Sequence, residues 1–129
     1  MTRTRKIAGT AFGALLLLAA SVILTQFLRA ATLSRIAQTK LSVQVLQTAS
    51  KDYFSVFSDW PHSTRDFTQN SSNIVFVVLA QVTNDAWGRP ILYEPFDGAR
   101  GYGQVTSYGR DGKPGGEGPD ADIEAQFGP

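Results

Sequence analysis

The alternation of apolar and polar positions divides the chain into an apolar arm, an amphipathic middle and a turn-rich end. Ile7 to Leu28 reads IAGTAFGALLLLAASVILTQFL, 22 residues without a charge. As a helix these span roughly 33 Å, enough to cross the hydrocarbon core of a bilayer. Arg29 to Asp59 contains neither Gly nor Pro, and Leu46, Ala49, Tyr53, Phe57 and Trp60 recur every three or four residues. That spacing draws one apolar stripe and predicts that the helix continues beyond the membrane until Pro61 stops it. A hinge near Arg29 followed by a separate helix is the alternative that the pattern leaves open.

Beyond Pro61 the period changes. His62 to Asn73 is polar and reads as a loop. Ile74 to Val82 is rich in β-branched residues, as a buried strand would be, yet Val75, Val78, Leu79 and Val82 also fall on one helical face. With Ser71 or Ser72 as a cap, a short helix packed on the first is the expected element. Thr83 to Pro90 reads as a turn, Ile91 to Glu94 as a strand, Phe96 to Gly101 as a turn signalled by Asp97-Gly98, and Gly103 to Tyr108 as a second strand. Phe127 is expected to pin the end of the chain onto the body. A long helix followed by a hairpin and a loop predicts an α+β layer arrangement. The expected division is 1–28 for the basic start and transmembrane helix and 29–129 for a water-exposed domain.

Charge sharpens this picture. The seven basic residues of the first 51 positions meet no acid, whereas residues 52–129 hold five basic residues and all eleven acids, a net of −6. A basic arm before an acidic head suits a membrane anchor with a water-exposed head. Arg3, Arg5 and Lys6 favour a cytoplasmic N-terminus. A cleaved secretory signal is the competing reading, but the apolar run is long for one and Leu28-Arg29-Ala30 is a poor cleavage site. An acidic head argues against nucleic acid as a partner. The chain has no cysteine, so thiolate metal sites and disulfides are excluded. No Ser-His-Asp order, phosphate-binding loop or HExxH pattern is present, so no enzyme activity is expected. His62, the single histidine, reads as a helix-end or surface residue, and Trp87 as a packing residue.

The candidate chemistry lies in Tyr108 to Ile123, where Asp111, Glu117, Asp120 and Asp122 stand among five glycines and two prolines. Such a composition makes a loop. So many carboxylates repel one another unless a cation sits among them, and an oxygen-only, flexible site suits Ca2+. The twelve-residue spacing of an EF-hand is absent. Gly115-Gly116-Glu117-Gly118-Pro119-Asp120 matches the start of a calcium-binding nonapeptide, but that architecture needs stacked copies. A solvated acidic tail is the plain alternative.

Two motifs carry a resemblance. Asp85-Ala86-Trp87-Gly88-Arg89-Pro90-Ile91 is similar to the D-P-W-G-N-P-Y segment of the major pseudopilin of bacterial type II secretion systems. Ser107-Tyr108-Gly109-Arg110-Asp111-Gly112, with Gly115-Gly116-Glu117-Gly118 and Ala121-Asp122-Ile123 after it, is similar to that family's S-L-G-A-D-G-x-x-G-G-E-G-x-x-A-D-I tail. The resemblance covers roughly residues 29–123. It implies a pilin-like α+β fold with a C-terminal calcium loop. Asp111 and Asp122 align with side-chain ligands of Ca2+, Asp120 sits where a neighbouring side chain helps, and backbone carbonyls near Tyr108 and Lys113 complete the shell. Glu117 is expected to face water.

By the same resemblance the chain would be a structural subunit of a pseudopilus-like filament. It would sit in the inner membrane with its C-terminal domain in the periplasm, and would assemble with itself or other pseudopilins on an inner-membrane secretion platform. That filament would help export folded proteins across the outer membrane. The chain departs from the family pattern in one respect. Family subunits carry a Glu at the fifth mature position, and here no acidic residue precedes Asp52. The alternative function is therefore a monomeric, membrane-tethered periplasmic binding module.

Overall fold

The computed structural model describes the backbone of residues 2–68 and 80–129, and the side chains of residues 9–66 and 82–129. The chain divides into two compact units, residues 1–34 and 35–129, and the division falls within the first helix, α1, Thr2–Phe57.

The first unit is helix alone. Leu15, Leu16, Leu17, Leu18, Val22, Ile23, Leu24, Phe27 and Leu28 all leave most of their surface bare. It lies in the helix that is long and apolar enough to cross a membrane. Its hydroxyls do not disturb that surface, because Ser21 donates to Leu18 O at 2.9 Å, Thr25 to Ser21 O at 2.8 Å and Thr32 to Leu28 O at 3.0 Å. These three hydroxyls are thereby satisfied within the helix, as an apolar solvent demands.

The second unit begins with the remainder of α1. Its apolar stripe is confirmed at Leu46 and Ala49, which are buried, and extends back to Val43. Tyr53 and Trp60 pack against this core, whereas Phe57 stays 41% exposed beside the Tyr53 ring at 4.5 Å. The helix stops at Phe57 rather than running to Pro61. Ser58 takes a left-handed φ of 53° and donates its N–H to Phe54 O at 2.8 Å. The chain thus turns early, so that Trp60 stacks on Phe54 at 4.3 Å and on Phe96 at 5.3 Å. Aromatic stacking of this kind outweighs the strain of a non-glycine residue at positive φ.

Arg65–Thr68 forms a single helical turn, α2. Most of the segment 74–82, expected as a short helix, lies outside the described residues. Its last part, within Ala80–Thr83, is a 3-10 turn.

Three antiparallel strands follow in spatial order: β1, Leu92–Asp97; β2, Tyr102–Ser107; and β3, Ile123–Phe127. The expected first strand, Ile91 to Glu94, therefore begins one residue later and ends three residues later, past Pro95. The pairing tolerates this proline because it lies on an edge strand, where the register shifts between Glu94 and Asp97. β3 extends the expected hairpin. It pairs in register with β2, with Gly103 opposite Phe127 and Val105 opposite Ala125. Gly103 is required there: a Cβ would strike the Phe127 ring and approach Phe96 N to 2.9 Å. Phe127, 2% exposed, closes a core of Val43, Leu46, Ala49, Ile91 and Val105. Polar bonds also join the helix to the sheet, from Gln47 Nε2 to Gln126 O at 2.6 Å, and to the turn before β1, from Ala86 N to Thr39 Oγ1 at 3.0 Å.

Candidate metal centre

The loop between β2 and β3 is positioned from below by a buried carboxylate. Asp85, 6% exposed, opens the turn before β1. Its Oδ1 accepts from Trp87 N at 3.0 Å and Arg89 N at 2.9 Å, and its Oδ2 accepts from Ser107 Oγ at 2.9 Å. Ser107 Oγ in turn accepts from Gly109 N at 3.3 Å, the first residue of the loop proper. One side chain therefore sets the turn, the end of β2 and the start of the loop.

Within the loop, glycine is needed where two backbone segments meet. Gly109 and Gly116 adopt φ of 67° and 95°, and a Cβ on either would come within 2.6 Å of a carbonyl oxygen of Asp120 or Ala121. Arg110 N donates to Pro119 O at 2.9 Å, and Gly118–Asp120 forms one 3-10 turn.

The acidic residues take separate roles. Asp111 Oδ1 accepts from Lys113 N at 3.0 Å. Asp122 Oδ2 accepts from Gly115 N at 2.9 Å. Its other oxygen, Oδ1, is buried and has no hydrogen-bond partner. Glu117 is exposed. Asp120 turns both oxygens to Arg110, with Nε at 2.8 Å and the terminal nitrogen at 3.0 Å. A second arginine, Arg89, reaches up from the turn and donates to Gly109 O at 3.0 Å and Arg110 O at 2.9 Å.

These positions test whether the residues suit a divalent ion. A buried carboxylate oxygen without a donor is unfavourable, and a bound cation relieves it. The donor set is oxygen throughout, as a hard cation requires. Among the described residues no three His, Cys, Asp or Glu side chains are placed to hold a metal by themselves. An ion here would thus draw on backbone carbonyls alongside Asp122. The residues fit on those terms. Sequence reasoning singled out Asp111, Asp120 and Asp122, and missed the supporting Asp85, Ser107, Arg89 and Arg110. Asp85 had a local signal: an aspartate two residues before a Trp-Gly turn is placed to accept the turn's N–H groups.

The Arg110 hydrogen bonds hold the Asp120 carboxyl below its ordinary value, against a smaller upward push from burial. A folded value below the unfolded one means that the pair's contribution is present above about pH 4 and is lost as pH falls through the folded value. The Arg110 side-chain N–H resonance is therefore expected to hold steady from pH 7 to about pH 4 and to move only in more acid solution. A midpoint at or above the ordinary carboxylate range would contradict the pairing.

No curated protein and no solved structure matched the chain significantly. The family model described as "Type II secretion system (T2SS), protein G" matches residues 26–126. That span takes in the C-terminal part of α1, the Asp85 turn, β1, β2, the acidic loop and all of β3 but Phe127, and the chain belongs to this family, that of the major pseudopilin of type II secretion systems.

Proposed function

We propose that the chain is a structural, non-enzymatic subunit of a type II secretion pseudopilus-like filament that helps export folded proteins across the outer membrane. The N-terminal part of α1 anchors it in the inner membrane, with the N-terminus cytoplasmic and the C-terminal domain periplasmic. Its partners are other copies of itself or further pseudopilins, together with the inner-membrane platform. The observation that carries this reading is the family match beginning at residue 26, on a helix whose preceding apolar side chains are bare. Such a surface needs lipid or neighbouring helices around it.

Ca2+ belongs to the same proposal. Asp122, the Asp111 carboxylate and the carbonyls of Tyr108 and Lys113 hold the ion, and Asp120 assists by fixing Arg110. The unpartnered Asp122 oxygen supports this arrangement. When bound, the ion adds no reaction; it neutralises carboxylates and ties the loop to the start of β3. The domain thereby presents a fixed surface to the next subunit.

The absence of cysteine makes assembly directly testable. Leu33 and Leu41 are exposed on α1. Leu33→Cys combined with Leu41→Cys, treated with a short bis-maleimide in membranes that contain the secretion apparatus, is expected to give a ladder of cross-linked multimers. Monomer alone under those conditions would favour the tethered binding module, which the lack of an acidic residue before Asp52 also favours.

A further inference from the structure

Arg89 stands apart from the other arginines of the domain whose contacts are described. Arg100 pairs with Glu94 and Arg110 with Asp120. Among the described residues, the Arg89 guanidinium meets no carboxylate; it spends one nitrogen on two successive loop carbonyls, Gly109 O and Arg110 O. Two carbonyls converging on one positive group is the arrangement a metal ion would otherwise impose. The fit is close, since a Cβ on Gly112 would come within 2.6 Å of Arg89 Nε. Arg89 is itself fixed at the backbone, where its N–H is held by Asp85 Oδ1 and its carbonyl accepts from Asp85 N at 2.8 Å.

We infer that Arg89 is a resident cation of the loop, a positioning residue that orders its first half whether or not a divalent ion is bound. The guanidinium withdraws the carbonyls of Gly109 and Arg110 from any metal shell and holds that strand of the loop over the β1 turn. An ion held by Asp122, Asp111 and the carbonyls of Tyr108 and Lys113 would then flank the Arg89 contact and add order chiefly to the remainder, from Lys113 to Asp122. The assignment of Arg89 rests on the loop geometry; only its division of labour with Ca2+ rests on the function proposed above. Chains with a short neutral side chain at this position would depend on the ion for the whole loop.

Amide hydrogen exchange of the full chain in detergent micelles tests this. The reporters are the N–H groups of Arg110, Lys113 and Gly115, each bonded within the loop. Val105 and Ala125 in the sheet serve as the folding control. In chelator, Arg89→Ala is expected to speed exchange at Arg110 by about tenfold, the loss of charge-assisted bonds to two carbonyls. Arg89→Lys, which keeps the charge but not the fork, is expected to fall between. Added Ca2+ should slow Lys113 and Gly115 in every variant and narrow the gap at Arg110. Equal exchange at Arg110 in wild type and Arg89→Ala would overturn the inference, as would faster exchange spread evenly through Val105 and Ala125. If Ca2+ changes neither protein while Arg89→Ala still speeds Arg110, the calcium reading fails and the role of Arg89 stands.

Discussion

Phe127→Ala is expected to destabilise the domain by about 3–5 kcal/mol, the cost of emptying an aromatic-sized space in a core. Phe127 is buried at the end of β3, with ring centroids of Trp60 and Tyr93 each 5.5 Å away. Removing it leaves the face of Gly103 bare and separates three elements at once: the chain after α1, β1 and β2. Collapse cannot fill the space cheaply. Val105 is already fully buried, and the Tyr93 hydroxyl is held by Pro61 O at 2.7 Å. Domain stabilities are on the order of 5–15 kcal/mol, so this single change consumes much of the total. Denaturant unfolding of the full chain in micelles, followed by tryptophan fluorescence, is the check; a midpoint within error of wild type would contradict the packing described.

Asp85→Ala is expected to cost about 2–4 kcal/mol, because it removes one acceptor from three donors in a poorly hydrated place. Trp87 N, Arg89 N and Ser107 Oγ all lose their partner. The effect should not stop at stability. Ser107 Oγ also receives Gly109 N, so releasing it loosens the start of the acidic loop. Asp85→Asn keeps an acceptor for the two backbone N–H groups, and Ser107 can rotate to accept from the amide; it is expected to lose less than half as much. The comparison separates a hydrogen-bond role from simple loss of volume. Equal effects of Ala and Asn in the unfolding midpoint would refute the hub.

The sequence made the helix, the hairpin and the glycine loop legible because each rests on local chemistry: an uncharged apolar run, Asp97-Gly98, and glycines where two backbones meet. Other features depend on distant contacts. The end of α1 at Ser58 has no glycine to announce it and follows from where Trp60 must stack. β3 has the alternation Ile123, Ala125, Phe127, but five residues beside a glycine-rich loop give a weak period, and only the pairing with β2 makes the strand. Asp111, Asp120 and Asp122 were visible as an acidic group. That Arg110 takes Asp120 while Asp122 keeps an unpartnered oxygen depends on the loop's closure, which composition does not encode. Asp85 and Arg89 read locally as turn residues, and their reach to Ser107 and the loop carbonyls emerges only when β1 and β2 lie side by side.

The most direct measurement is a calorimetric titration of Ca2+ into the full chain in micelles, beside Asp122→Asn. One ion per wild-type chain is expected, with a dissociation constant no weaker than about 1 mM, the range of extracytoplasmic calcium modules. The variant should show no saturable heat. A wild-type chain without saturable binding at several times that concentration, or a variant that binds as wild type does, would contradict the account.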